Sequence, residues 1–232
     1  MILHQLDEAF AGSGLTTRGG FRLSPADRLP AAEGADAATL VLIGNVGGAM
    51  WQAFAAATDA AARATAAHPL DDWTRVVVAP VAARFGARPL YPFEGPPYHP
   101  FQQWARRALA LGESPIGPLI DAEAGLWHAF RAALLFPGHL PLPVPVGQAS
   151  PCATCRERAC LTTCPVDAIG RNRTDVAACV DHVQSPAGAA CRSGGCRARN
   201  ACPVGGGFRY PPAQLHFHMA RFLSAHGGHG QG

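Results

Sequence analysis

All eight cysteines of this 232-residue chain fall between Cys152 and Cys202, and the first 151 residues contain none. They form two half-motifs: Cys152-x2-Cys155-x4-Cys160-x3-Cys164-Pro165, then Cys179 followed by Cys191-x4-Cys196-x5-Cys202-Pro203. Each half supplies four sulfurs. Gaps of two to five residues let a short irregular loop wrap an inorganic core, with a fourth thiolate arriving from a distant segment. Structural zinc also uses four cysteines, but it prefers compact C-x2-C pairs, and only Cys152 and Cys155 make one. A disulfide framework needs an oxidising compartment. The opening MILHQLDEAF has no basic, apolar leader and carries Asp7 and Glu8, so the expectation is a reduced, cytoplasmic chain.

Charge divides unevenly. Residues 1–150 hold 10 Arg against 12 Asp and Glu, whereas residues 151–232 hold 9 Arg against 4. A basic segment suggests nucleic acid. Eight thiolates around two dicationic cores, however, would carry a formal charge of about −4, so most of the excess is read as balancing clusters. With 48% hydrophobic and 15% charged residues the chain can bury an ordinary core, which excludes disorder as its main state. Its richest apolar runs, 37–50 and 126–146, are broken by Gly or Pro, so no membrane crossing is expected.

Along the first 150 residues, Ile2, Leu3, Leu6, Ala9 and Phe10 predict a short opening helix ended by Gly12 and Gly14. Ala38 to Ile43 predicts a buried strand, and Gly44, Gly47 and Gly48 a turn before an Ala-rich helix from Trp51 to Thr65. Asp71 or Asp72 is a candidate cap for a helix running to Phe85, bent at Pro80. A strand is expected over Arg88 to Phe93 and a helix from about Pro100. Leu126 to Phe136 suits helix or strand equally by composition. Pro137 to Pro145 reads as an extended linker and domain boundary. A helix is expected from Pro212 to Ala225, packing through Leu215, Met219, Phe222 and Leu223, before a mobile Gly- and His-rich tail.

The segment CATCRERACLTTCPVDAI resembles the dicluster ferredoxin module, in which the cysteine before proline ligates the other cluster. That resemblance implies one [4Fe-4S] cluster on Cys152, Cys155, Cys160 and Cys202, and a second on Cys164, Cys179, Cys191 and Cys196. The spacing departs from the family at Cys155 to Cys160 and at Cys179 to Cys191. Taken with ATLVLIGN and SPIGPLIDAEAGLWHAFRAALLF, the chain is similar to the core of epoxyqueuosine reductase and its cobalamin-using relatives. Those relatives include reductive dehalogenases and cobalamin-processing decyanases. In that likeness Ile116, Gly117, Gly125 and Trp127 occupy cofactor-binding positions, and Leu126 to Phe136 becomes a strand.

The resemblance implies an α/β (α+β) sandwich over residues 1–146, a ferredoxin-like dicluster module over 147–210, and a C-terminal helix with flexible tail over 211–232. It implies an iron-sulfur oxidoreductase relaying single electrons through two clusters to cobalamin or a substrate in the N-terminal domain. The alternative is a ferredoxin-like carrier or docking module without a further cofactor, so enzymatic activity is left open. The expected partners are an electron donor such as a flavodoxin, ferredoxin or reductase, and a small-molecule substrate. Where epoxyqueuosine reductases carry an acidic proton donor in an Asp-Ser-Ala-Pro setting, this chain reads YPFEGPPYHPF, with Glu94 the nearby acid, and no helical-repeat tail follows. Nucleic acid is therefore not expected as a partner. His99 and His128 are further candidates to face a corrin or substrate.

Overall fold

The computed structural model describes residues 2–27, 29, 36–109, 111–145, 147, 149–171 and 173–227. Of the tail expected from His226 onward, His226 instead ends the last helix with Gly227 as its C-cap, and the rest, with His229, lies outside them. In chain order the elements are α1 (Ile2–Ala9), β1 (Thr16–Arg22), β2 (Thr39–Val46), α2 (Ala49–Ala57), α3 (Ala60–Thr65), α4 (Pro69–Arg84), β3 (Arg88–Leu90) and α5 (Phe101–Ala108). They continue through β4 (Gly112–Glu113), β5 (Leu119–Ile120), β6 (His128–Phe136), α6 (Pro151–Thr154), β7 (Ile169–Gly170) and β8 (Arg173–Thr174), and end with α7 (Val176–Gln184), α8 (Ala189–Gly194), α9 (Arg197–Asn200) and α10 (Pro212–His226). No described helix is long and apolar enough to cross a membrane.

This mixed α/β chain makes two compact units: Met1–Ala110 with His128–Gly147, and Leu111–Trp127 with Gln148–Gly232. The linker at 137–145 is irregular. Leu111–Trp127, which precedes it, groups with the cysteine segment.

The first unit is built on an antiparallel sheet in the order β1-β2-β6-β3. Strand β2 is buried along nearly its whole length, as is the second half of β6, so both faces of the central pair are covered. Helices α1 and α5 contact β1, and α4 contacts β3 and β6. Strand β1 has no apolar run and was not foreseen. Its glycines explain its place: a Cβ at Gly19 would meet the Ala108 carbonyl at 2.7 Å, and one at Gly20 the Leu40 carbonyl at 2.5 Å. These close backbone approaches need the missing side chains.

Three boundaries differ from the sequence expectation. The Trp51-to-Thr65 helix is two helices, because Thr58 turns extended and the Asp59 side chain accepts from the Ala61 and Ala62 N–H groups to start α3. Helix α4 begins at Pro69 after an N-cap at His68. Proline suits that first position, and Asp71 and Asp72 lie in the first turn, where the helix dipole favours them. The helix passes through Pro80 because the interrupted bond to the carbonyl of Val76 falls on the exposed side, where Val76 is 72% accessible. Strand β3 stops at Leu90, since the Glu94 N–H donates to the Tyr91 carbonyl and closes a turn. Leu126 to Phe136 resolves as a strand from His128 onward.

The second unit has little regular structure. Two-residue ribbons β4-β5 and β7-β8 and short helices are held by turns, with α10 packed on α7 and α8. Buried residues of α10 are Gln214, Leu215 and Phe217; Met219 and Phe222 instead face a cavity described below.

Candidate functional site

The first cysteine loop is shaped by local hydrogen bonding. Ser150 Oγ accepts from the Cys152 N–H at 3.3 Å and caps α6, with Pro151 at its first position. The chain becomes extended at Cys155, turns left-handed at Arg158 (φ 45°), and closes a 3-10 turn over Ala159–Leu161 when the Leu161 N–H donates to the Arg158 carbonyl at 2.8 Å. This path curls Cys152, Cys155 and Cys160 around one space. Cys202 reaches the same space from the other end of the module. These four residues line a cavity of about 360 Å³ together with Ile120 and Arg158.

The second set forms differently. Asp175 accepts from the Ala178 N–H at 3.0 Å and starts α7, which carries Cys179. Cys191 lies in α8, and Gly195 (φ 79°) reverses the chain to Cys196 at the head of α9. With Cys164 they line a cavity of about 170 Å³, walled by Ile169, Val183, Met219 and Phe222. All eight thiols are free. Each cavity exceeds many times the roughly 30 Å³ of a water molecule.

The electrostatics follow the same division. Burial pushes the Cys152 thiol up, and so does the charge of Cys202 and Cys155. Burial also raises Cys160, followed by Cys202, Cys152 and Cys155. Cys179 is pushed up to about 11, first by burial and then by Cys196, Cys164 and Cys191. Cys191 is raised by burial and by Cys196, against the pull of Arg197. Beyond burial, Cys152, Cys160, Cys179 and Cys191 are thus raised only by members of their own set.

Tetrahedral thiolate zinc has bonds of about 2.3 Å, so its sulfurs stand roughly 3.8 Å apart. Among the described residues no group of three or more His, Cys, Asp or Glu side chains is placed to hold a metal ion.

The four residues aligned by resemblance with cofactor-binding positions all lie in the second unit. Ile116 is buried with Ile120 and Leu126 in an apolar group that packs on Cys152, Cys160 and Cys202. Gly117 (φ 104°) has open space where a Cβ would be. Gly125 (φ 61°) sits at the end of a turn in which Asp121 Oδ1 accepts from the Glu123 and Ala124 N–H groups, both at 2.9 Å. A Cβ there would meet the Val204 carbonyl at 2.2 Å, and a Cβ at Gly205 would meet the Ala124 carbonyl at 2.1 Å. This backbone-on-backbone contact lies just after Cys202-Pro203. Trp127 is fully buried, edge-on to Tyr210 at 5.4 Å and 4.5 Å from the Arg199 guanidinium.

Ile116 thus packs on three cysteines that line the first cavity and Gly125 lies against Val204, which lines it too, whereas Trp127 packs with Tyr210 and Leu215 in a separate group. Ser150 lines that cavity as well, and Ser150, Arg199, Gly205 and Tyr210 carry no motif by which the sequence alone would single them out.

In the first unit His99 stacks on Trp104 at 5.6 Å, and His128 is edge-on to Phe130 at 5.7 Å. Glu94 Oε2 accepts from the Tyr91 N–H at 3.2 Å while its other oxygen lies 3.6 Å from Arg75, so this acid is engaged in its own turn.

No protein-family model matches the sequence, and no curated protein does. Solved structures define the class of fold. An epoxyqueuosine reductase bound to an epoxyqueuosine-modified tRNA-Tyr stem loop is similar, with a TM-score of 0.53 and 15% identity, over 94% of this chain and 68% of that one. The epoxyqueuosine reductase of Bacillus subtilis matches with a TM-score of 0.53 and 14% identity over 98% and 75%. CblC of C. elegans, a B12-trafficking protein, matches with a TM-score of 0.54 and 12% identity over 95% and 94%. The chain therefore shares the fold of epoxyqueuosine reductase and CblC. One expectation is corrected here. Nucleic acid was set aside as a partner, yet a protein of this fold is seen with a tRNA stem loop, so the fold does not count against RNA.

Proposed function

We propose that this chain is an iron-sulfur redox protein that binds two [4Fe-4S] clusters and passes single electrons to a corrinoid held by its mixed α/β unit. Cys152, Cys155, Cys160 and Cys202 would hold one cluster, and Cys164, Cys179, Cys191 and Cys196 the other. The observation that carries the reading is the division of eight free thiols, four and four, between two cavities. The corrinoid part is supported by the fold shared with a B12-trafficking protein and with epoxyqueuosine reductases. In this reading residues 1–146 supply the cofactor or substrate site, although Leu111–Trp127 groups with the cysteine segment, 147–210 carry the clusters, and 211–232 add a helix and tail.

A [4Fe-4S] cluster supplies reversible one-electron chemistry. The protein's part is to orient eight thiolates, exclude water with Ile120, Leu126, Met219 and Phe222, and hold fixed charge nearby. Anaerobic purification followed by iron, sulfide and zinc analysis tests the clusters. About eight iron and eight sulfide per chain are expected; zinc without sulfide would end the proposal. A change in the visible spectrum on adding hydroxocobalamin supports the corrinoid site, and an unchanged spectrum leaves the electron-carrier reading.

A further inference from the structure

We propose that the two thiol cages are unequal electron sites: the second, built from Cys164, Cys179, Cys191 and Cys196, gives up its electron to the first; this deepens the iron-sulfur reading above and rests on it. The two cavities differ in what faces the cluster. Arg158, Arg171 and the hydroxyl-bearing Ser114 and Ser150 line the first, which measures about 360 Å³. The second is less than half that size, about 170 Å³. Besides its thiols, the described residues on its wall are apolar, Met219 and Phe222 among them, except for Thr174, His182 and Arg197.

The first cage has cations that no acid holds. Among the described residues no ion pair includes Arg158 or Arg171, and Glu113 is the one carboxylate that lines the cavity beside them. Arg158 acts on this cage directly: its charge draws the Cys152 thiol down against burial, and its Nε donates to the Cys155 carbonyl at 3.4 Å. Arg171 occupies the turn between β7 and β8. In the second cage burial is the stronger influence. Cys179 is pushed up to about 11, with burial as the first cause, and Cys191 stays raised despite Arg197.

A cluster held by four thiolates carries a formal charge of about −2, and reduction adds one more negative charge. That added charge costs most where the wall is apolar, and least where polar groups and cations face it. The first cluster therefore takes the electron at the higher potential. In the step itself the reduced second cluster is oxidised by one electron, and the oxidised first cluster is reduced by that same electron. No bond forms or breaks and no proton moves. A one-electron donor of the flavodoxin or ferredoxin class refills the second cluster.

The experiment is an anaerobic redox titration followed by electron paramagnetic resonance, with iron and sulfide counted in every sample. Wild-type protein is expected to show two one-electron midpoints at least about 59 mV apart, a tenfold preference for one cluster. Arg158→Gln combined with Arg171→Gln removes two charges from the first cavity. It should lower the upper midpoint alone, by about tenfold in the reduced-to-oxidised ratio at fixed potential. Met219→Gln sets a polar amide on the wall of the second cavity and should raise the lower midpoint alone. Val166→Ser does the same at a lining residue that is 39% exposed, where little packing is lost.

Two coincident midpoints overturn the proposal, and so does a reversed assignment, in which the arginine variant moves the lower midpoint or the wall variants the upper one. Should the arginine or the Met219 variant lose iron, Val166→Ser decides: a shift of the upper midpoint, or of neither, overturns the inference. Wild-type protein without iron and sulfide would sink the underlying reading and not this inference alone.

Discussion

In the first unit the fully buried large side chains are Leu6, Phe10, Leu40, Leu42, Ile43, Met50, Phe54, Leu134 and Leu135, gathered on a four-stranded sheet. In the second unit the corresponding set is Ile120, Trp127 and Gln214, and one of those is polar. Yet the second unit contains most of the cysteines' surroundings in short helices, two-residue ribbons and capped turns. Apolar burial is thus ample to order the first unit and thin in the second. The difference teaches that the second unit needs a further source of order. Eight metal-thiolate bonds would supply it, as they do in small metal-dependent domains.

The largest effect that tests this contrast is removal of the inorganic core. Treatment with a chelator and oxidant should abolish amide protection across 148–227, while β2 and β6 stay protected; hydrogen exchange measures both, and equal loss in the two units would erase the distinction. Next, Leu42→Ala should destabilise the first unit by about 2–5 kcal/mol in denaturant melts while leaving iron content unchanged, since its side chain is fully buried in β2.

Gly125→Ala sharpens the comparison from the other side. Its Cβ would strike the Val204 carbonyl at 2.2 Å on a backbone of positive φ, so a cost of about 1–3 kcal/mol falls on the segment that follows Cys202. Iron content should drop toward one cluster, with the first unit's melting unaltered.

The smallest effect concerns Asp27, whose carboxyl is held at about 2, chiefly by a hydrogen bond from the Arg107 side chain. This group is depressed in the fold, so its contribution is present above about pH 4 and fades as pH falls through 2. Asp27→Asn should remove that slope from the acid-stability curve of the first unit and leave the neutral-pH spectrum alone.

The sequence and the structure agree most where a local rule governs. The opening helix, the buried strand from Thr39, the strand from His128 and the final helix all follow from apolar spacing or from resemblance. Where two distant backbones meet, spacing is silent. Strand β1 is specified by Gly19 and Gly20 fitting beneath Ala108 and Leu40, and nothing in TTRGGFR alone points to those neighbours. The break at Thr58-Asp59 was readable in principle, because Asp is a strong helix cap, but the Ala-rich run around it masked the signal. In the candidate site the cysteines declare themselves by type and grouping. Their supports do not: Arg199, Tyr210 and Gly205 become meaningful only once Trp127 and Gly125 are placed beside them. RNA was set aside because the Asp-Ser-Ala-Pro acid and the helical-repeat tail are missing and the basic residues had another use, yet a protein of this fold is seen with a tRNA stem loop.

The crossed allocation of Cys164 and Cys202 also orders events during synthesis. As the ribosome extends the polypeptide, the donors for the smaller pocket are all made once Cys196 has emerged, whereas the larger pocket, begun at Cys152, must wait for Cys202. The earliest-started site is the last to close. If the two sets take up iron, the larger pocket waits for Cys202, whereas a nascent chain truncated between Cys196 and Cys202 already holds every cysteine of the later-begun site.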